Sequence, residues 1–292
     1  MQVYENIQEF KNQIKSIKQA NLSIGFVPTM GYLHEGHLSL VEAAKNENDI
    51  VIMSIFVNPL QFGPNEDYST YPRDFGRDKE LAEEAGVDLI FAPQPEEMYP
   101  RTPSIQFTVS ERVNVLCGRK REGHFDGVAA VLTKLFHLAE PDRAYFGLKD
   151  AQQVAVVDGL IKDFNFPIQL SPVETVREED GLAKSSRNVK LTSEERREAP
   201  EIYAALKYGK DMFLSGIGAE DVERMISERL RERTSGTVDY VEIYEYPFLK
   251  APDQSSEKII IAAALQYSNA RLIDNVIFST GVREGDSTCL EQ

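Results

Sequence analysis

The feature that most restricts this chain's fold is an alternation of short apolar runs and helical stretches through its first 173 residues. Residues 22–27 form an apolar run that ends at Pro28 and reads as a buried strand, and residues 50–57 form another, rich in β-branched side chains. Leu38, Val41 and Ala44 recur between them at helical spacing, as Ile7, Phe10, Ile14 and Ile17 do upstream. Asn6 and Glu9 stand where a capping box would open that first helix. Residues 72–86 read as a helix stopped at Gly86, and 87–91 as a strand stopped by Pro93. Helix 128–139, strand 143–146, helix 151–164 and strand 168–173 follow. Strand, helix, strand with short connections implies right-handed βαβ crossovers and a mostly parallel sheet, an α/β fold.

Past Thr175 the texture changes. Thr192 and Glu195 form a second capping box, charged helices run over 193–233, and three strand-like runs follow at 238–244, 258–265 and 271–278. The expected organisation is therefore an α/β domain over 1–175 and a smaller α+β domain over 176–292, with the terminal GDSTCLEQ fraying. At 292 residues and 42% hydrophobic content, the chain is long enough for two domains and apolar enough for a sizeable core. Its net charge of −15 repels polyanions at long range and excludes nucleic acid as an expected partner. A small anionic substrate stays compatible, because a few cations can dominate one cleft. Cys117 and Cys289 form no zinc or disulfide pattern, the start carries no apolar leader, and no run approaches the ~18 apolar residues of a membrane span. A cytoplasmic protein away from membranes is the expectation.

The segment Pro28-Thr29-Met30-Gly31-Tyr32-Leu33-His34-Glu35-Gly36-His37 passes from a strand into a helix. In a doubly wound sheet ligands bind outside the carboxyl ends of strands, and a helix N-terminus there suits phosphate. Gly31 and Gly36 allow close backbone approach, and His34 and His37, on nearly the same side, can both donate to charge developing on a phosphate. An H-x-x-H metal pair is the weaker reading, since no third Cys or His lies nearby, and no metal ligand is expected. Phe146-Gly147-Leu148-Lys149-Asp150 is a second strand end, where Lys149 can reach a phosphate and Asp150 a ribose hydroxyl or the helix cap. In Lys184-Ser185-Ser186-Arg187, hydroxyls flanked by cations suit a phosphate clamp at a closing lid. Asn58 and Gln61 place amides at the rim, and Gly123-His124-Phe125-Asp126-Gly127 opens a further helix there.

In this order and spacing, PTMGYLHEGH, FVNPLQFG, GHFDGV, YFGLKDAQQ and GLAKSSRN closely resemble the pantoate–β-alanine ligase family, over essentially the whole chain. The histidine motif is shared with the wider HxGH nucleotidyltransferases. The resemblance implies a Rossmann-like N-terminal domain with a C-terminal lid, a cytoplasmic homodimer, ATP as co-substrate with Mg2+, and pantoate and β-alanine as substrates. It implies two steps: pantoate attacks the α-phosphate to give pantoyl adenylate and pyrophosphate, then β-alanine displaces AMP. By the same resemblance His37 and His34, with Lys149 and Arg187, carry catalysis. The nucleotide would lie along Pro28, Met30 to His37, Gly147 to Asp150, Val176 and Lys184 to Arg187. Pantoate would meet Thr29, Met30, Gln61 and Gln153, with Asn58 and Tyr71 near the acyl and amine sites. Leu148 stands where glutamate often precedes the lysine, and Lys184 where methionine often precedes the serines. Two alternatives stand beside this: a different HxGH adenylyltransferase, or a nucleotide-sensing module without catalysis.

Overall fold

The computed structural model describes residues 1–281 apart from Asn65 and Asp67. The expected fraying of GDSTCLEQ, with Cys289, lies outside them. The chain divides into two compact units, Met1–Arg177 with Lys184–Ser186, and Glu178–Ala183 with the residues from Arg187 onward.

In the first unit β1 (Gln2–Tyr4), β2 (Ile24–Thr29), β3 (Ile50–Ile55), β4 (Leu89–Phe91), β5 (Arg143–Gly147) and β6 (Gln169–Val173) form one sheet. All its pairings are parallel, in the order β1-β4-β3-β2-β5-β6. The helices are α1 (Ile7–Gln19), α2 (Glu35–Glu47), α3 (Phe75–Ala85), the one-turn α4 (Pro95–Met98), α5 (His124–Ala139) and α6 (Ala151–Asp163). Both faces of the sheet are covered, which explains strands that are apolar at consecutive positions. Phe26, Ile52 and Phe91 pack with residues of α1, α5 and α6, whereas Val27, Met53 and Ile90 pack with residues of α2 and α3. From β2 the chain builds outward through β3 and β4, then returns to the other side of β2 for β5 and β6. The direction of winding therefore reverses between β2 and β5, where a doubly wound sheet opens its ligand crevice.

The crevice has a covalent cause. The carbonyls of Ser23 and Thr29 accept from Ile50 and Phe56 on the β3 side, while that of Ile24 accepts from Asp142 on the β5 side. Alternation then turns Pro28 toward β5, and proline has no N–H to give. β2 pairs with β3 through to Thr29↔Ile55 but with β5 only at Gly25↔Arg143 and Phe26↔Ala144. Pro28 was expected to end the strand; instead β2 runs through it, paired on one side only.

The second unit holds α7 (Ser193–Glu198), α8 (Glu201–Leu214), α9 (Ala219–Arg233) and an antiparallel sheet of β7 (Thr237–Glu245), β8 (Lys258–Gln266) and β9 (Arg271–Ser279). Its own core joins Leu206, Ile226 and Leu230 to Ile243, Ile261 and Leu265. The Thr192–Glu195 capping box forms as expected.

Three local readings change. The edge strand β1 is too short to leave a periodic signal. Asn6 does cap α1, accepting the Gln8 and Glu9 N–H groups, but Glu9 does not reach back to the Asn6 N–H; Glu97, a tertiary partner, instead accepts from the Asn6 side chain at 3.2 Å and from the Ile7 N–H at 2.8 Å. α5 starts at His124, four residues before the 128 that apolar spacing gives, and at the helix opening expected from the segment Gly123 to Gly127.

Candidate active site

The turn from β2 into α2 uses two consecutive left-handed residues, Gly31 (φ +86°) and Tyr32 (φ +52°). A Cβ on Gly31 would lie 2.9 Å from an Asp78 carboxylate oxygen and 3.1 Å from Ile55. Asp78, buried on α3, fixes this turn by accepting the Tyr32 and Leu33 N–H groups at 2.7 Å each. The neighbouring Arg77 donates to the Leu33 carbonyl at 2.9 Å and lies over the Tyr32 ring at 5.2 Å.

The turn delivers an unusual cap. His34 is the N-cap of α2, its Nδ1 accepting the Gly36 N–H at 3.1 Å, and His37 Nδ1 accepts the His34 N–H at 3.3 Å. Both Nδ1 atoms act as acceptors, so in each neutral ring the proton sits on Nε2, which is left as a donor. The ring centroids are 4.1 Å apart. Burial first, then the Lys149 cation, lowers His34 to about 4. Burial first, then His34, lowers His37 to about 3. Both are uncharged at neutral pH. Two Nε2–H donors thus stand at a helix N-terminus that itself favours an anion.

Charged side chains surround the pair. Lys149 and Asp150, in the 3-10 turn Leu148–Asp150 after β5, lie 3.6 Å apart. Asp150 occupies the N-cap position of α6 but makes no side-chain cap bond, so the capping role expected for it is not used. Lys184 pairs with Glu35 at 3.3 Å, and the Lys184 N–H is held by the Val176 carbonyl at 2.9 Å. Lys149, Lys184, Glu35 and Asp150 all act electrostatically on His34. Gly147 borders open space, Leu148 packs on the core, and Ser185 and Ser186 are half-buried beside Lys184. Arg187 falls in the second unit. Among the described residues no group of three or more His, Cys, Asp or Glu is placed to hold a metal ion.

Several of the expected contact residues have partners within the protein. Leu33 is wholly buried in the core, with its N–H donated to Asp78 and its carbonyl accepting from Arg77. The Thr29 hydroxyl donates to the Ser54 carbonyl and accepts from the Gly31 N–H, locking the turn. Asn58 is satisfied inside the protein: it donates to Gln61 and Gly127 and accepts from Leu60 and Tyr99, the four bonds a primary amide can make. Tyr71 is buried edge-on to Phe62. Gln61 points its amide nitrogen at the Met30 sulfur, 3.0 Å away. In α6, Gln152 is spent on the backbone of Arg112, Val115 and Gly118, and its neighbour Gln153 is half-buried.

Sequence reasoning missed Asp78 and Arg77. A signal existed, because Asp78 shares a helical face with Ala82 and Ala85 and so carries a carboxylate into the interior.

Comparison with known proteins follows the same lines. A profile of the family described as pantoate-beta-alanine ligase matches residues 2–277. The chain belongs to this family. It is 59% identical over 281 residues to the pantothenate synthetase of Bacillus pumilus, covering 95% of this chain and 96% of that one. To the pantothenate synthetase of Bacillus subtilis it is 58% identical over 277 residues, with 95% and 97% covered. Among solved structures, pantothenate synthetase from Thermus thermophilus superposes with a TM-score of 0.87 at 45% identity, covering 94% of this chain and 99% of that one. The pantoate-beta-alanine ligase of Francisella tularensis, solved with beta-gamma ATP and beta-alanine, gives 0.77 at 35% identity, with 97% and 99% covered. The family and the Rossmann-like architecture with a smaller C-terminal unit are as the sequence motifs implied.

Proposed function

We propose that this ligase condenses pantoate with β-alanine by activating pantoate at the α-phosphate of ATP. In the first step a pantoate carboxylate oxygen bonds to the α-phosphorus and the bond to the β-phosphate breaks, giving pantoyl adenylate and pyrophosphate. In the second the β-alanine amine attacks the acyl carbon, AMP leaves with the bridging oxygen, and the amine gives up a proton. The observation that carries this reading is the pair of neutral imidazoles, each offering Nε2–H where a helix N-terminus opens. Donors fixed beforehand act most strongly on charge that develops in the transition state, here on the non-bridging oxygens of the α-phosphate.

Lys149, Lys184, Ser185, Ser186 and Arg187 would take the β- and γ-phosphates, Asp150 and Val176 the adenosine, and Gln61 and Gln153 the pantoate. The second unit would be the lid. The enzyme is proposed as a cytoplasmic homodimer, on the family resemblance; no helix of the described residues is long and apolar enough to cross a membrane. Magnesium prefers phosphate oxygens, water and one or two carboxylates to an all-protein cage. An exposed carboxylate beside a cation that would meet the phosphates fits that preference, and Asp150, 3.6 Å from Lys149, is the carboxylate that would reach such an ion. When bound, magnesium would neutralise part of the triphosphate charge.

Pantoate labelled with 18O in its carboxylate tests the mechanism. Label should appear in AMP once β-alanine is added, and pantoate alone should support exchange of labelled pyrophosphate into ATP. Label in inorganic phosphate, with ADP as the nucleotide product, would refute attack at the α-phosphate. Absence of pantoate-dependent pyrophosphate release, with another carboxylic acid triggering it, would move the chain to a different substrate.

A further inference from the structure

His124 opens α5 with only 8% of its surface exposed, and none of the steps above uses it. Its Nδ1 lies 2.8 Å from the main-chain carbonyl of Gln61, which can only accept, so this nitrogen carries a proton. Its Nε2 lies 3.0 Å from an Arg121 guanidinium nitrogen, which can only donate, so that nitrogen is bare. Both neighbours demand the same neutral tautomer. Arg121 is itself held by Glu66 in a two-pronged pair, at 2.9 and 2.6 Å. A chain of three side chains therefore ends on the backbone of one glutamine.

The same glutamine is gripped elsewhere. Asn58 donates to the Gln61 side-chain oxygen at 3.3 Å and to the Gly127 carbonyl at 3.0 Å. Gly127 lets α5 press against the turn Pro59–Gln61, since a Cβ there would collide with the Leu60 carbonyl and come within 2.6 Å of the Gln61 nitrogen. With its two oxygens engaged, the buried Gln61 has only its side-chain NH2 left to offer, and that group donates to the Met30 sulfur, a weak acceptor that a substrate oxygen would displace.

We infer that His124 is a positioning residue for pantoate recognition: as an Nδ1–H donor to the Gln61 carbonyl, backed by Arg121 and Glu66, it aims the Gln61 amide N–H at an acceptor oxygen of the substrate. The inference rests on the proposed contact between Gln61 and pantoate. It extends that contact from one residue to a five-residue support of His124, Arg121, Glu66, Asn58 and Gly127. It also fixes the direction of the hydrogen bond: Gln61 donates and pantoate accepts.

The test compares KM for pantoate with KM for ATP in four variants. His124→Leu should raise the pantoate KM about tenfold, the usual scale for one hydrogen bond, with the ATP KM unchanged. His124→Asn places an amide N–H near the former Nδ1 and should recover most of the loss, whereas His124→Gln, which mimics Nε2, should not. Gln61→Ala is the control. If it raises the pantoate KM while His124→Leu does not, the positioning role is wrong and the Gln61 contact stands. If Gln61→Ala leaves the pantoate KM unchanged, both fall. Parallel rises in both KM values, or equal behaviour of the Asn and Gln variants, would reduce His124 to a general structural residue. Should His124→Leu fail to fold, the 15N spectrum of the wild-type imidazole decides: a protonated Nε2 at pH 7 overturns the inference.

Discussion

Asp78→Asn keeps the volume and shape of the side chain while removing its charge and one of its acceptors. In the wild type the carboxylate accepts two buried backbone N–H groups at 2.7 Å, from Tyr32 and Leu33. An asparagine can accept one of them with its oxygen, at the strength of a neutral bond, for a loss of about 1 kcal/mol. Its NH2 must then face the second N–H, donor against donor, and the stranded group adds ~1–3 kcal/mol. The first unit should therefore lose roughly 2–4 kcal/mol, read as a lower urea midpoint at unchanged m. The kinetic effect should be larger than the ATP-binding effect, because the loosened turn immediately precedes His34. A displacement of an ångström at reacting groups costs on the order of 10²-fold, so kcat should fall by about 10–100-fold. A variant within ~0.5 kcal/mol of wild type and with normal kcat would refute the claim that α3 sets the geometry of the histidine pair.

His34→Ala and His37→Ala should each lower kcat by ~10²–10³ with little change in ATP affinity, measured by steady-state kinetics and equilibrium nucleotide binding. Because His34 and His37 are lowered to about 4 and about 3, the acid limb of kcat/KM should lie well below the ordinary histidine range near 6.5. The unfolded state takes protons at these positions as pH falls below about 6.5 while the folded state does not. Stability should therefore be fullest above that pH and decline toward about 3–4, and His37→Gln should flatten the decline in acid titrations. Gly127→Ala should cost ~1–3 kcal/mol by overpacking and raise the pantoate KM, with an unchanged ATP KM in the folded fraction. Glu195, lowered to about 2 by Ser268 and Thr192, stabilises the second unit above about 4.5 and loses that effect as pH falls toward 2; Glu195→Gln should remove this acid dependence in circular-dichroism melts.

The order of strands and helices was legible because burial on both faces leaves apolar runs in strands and stripes in helices, and these survive without any tertiary knowledge. The histidine cap was legible for a similar reason: two of the chain's four histidines fall within four residues at a strand-to-helix turn. What could not be read was which polar group each side chain would spend itself on. Asn58 and Gln61 look alike in sequence, two amides three residues apart, yet one is consumed by Tyr99, Leu60 and Gly127 and the other gives its NH2 to the weakly accepting Met30 sulfur. Asp78 and Glu97 were invisible as partners because each acts on a turn or helix start distant in sequence, Tyr32 and Ile7. Hydrogen bonds between remote segments leave no period.

The proline in β2 acts as the stop on a zipper. A ladder that would otherwise continue toward the ends of β2 and β5 halts after Phe26↔Ala144, and it halts because of an atom the residue lacks rather than a contact it makes. No ligand has to prise these strands apart, so the fork enters the binding equilibrium already open and only water has to leave. That removes a reorganisation term that would weaken affinity for every ligand entering the crevice alike. It also makes this feature independent of the rim: whether loops tighten or relax, the ladder between the two strands lacks the bond for which residue 28 has no hydrogen.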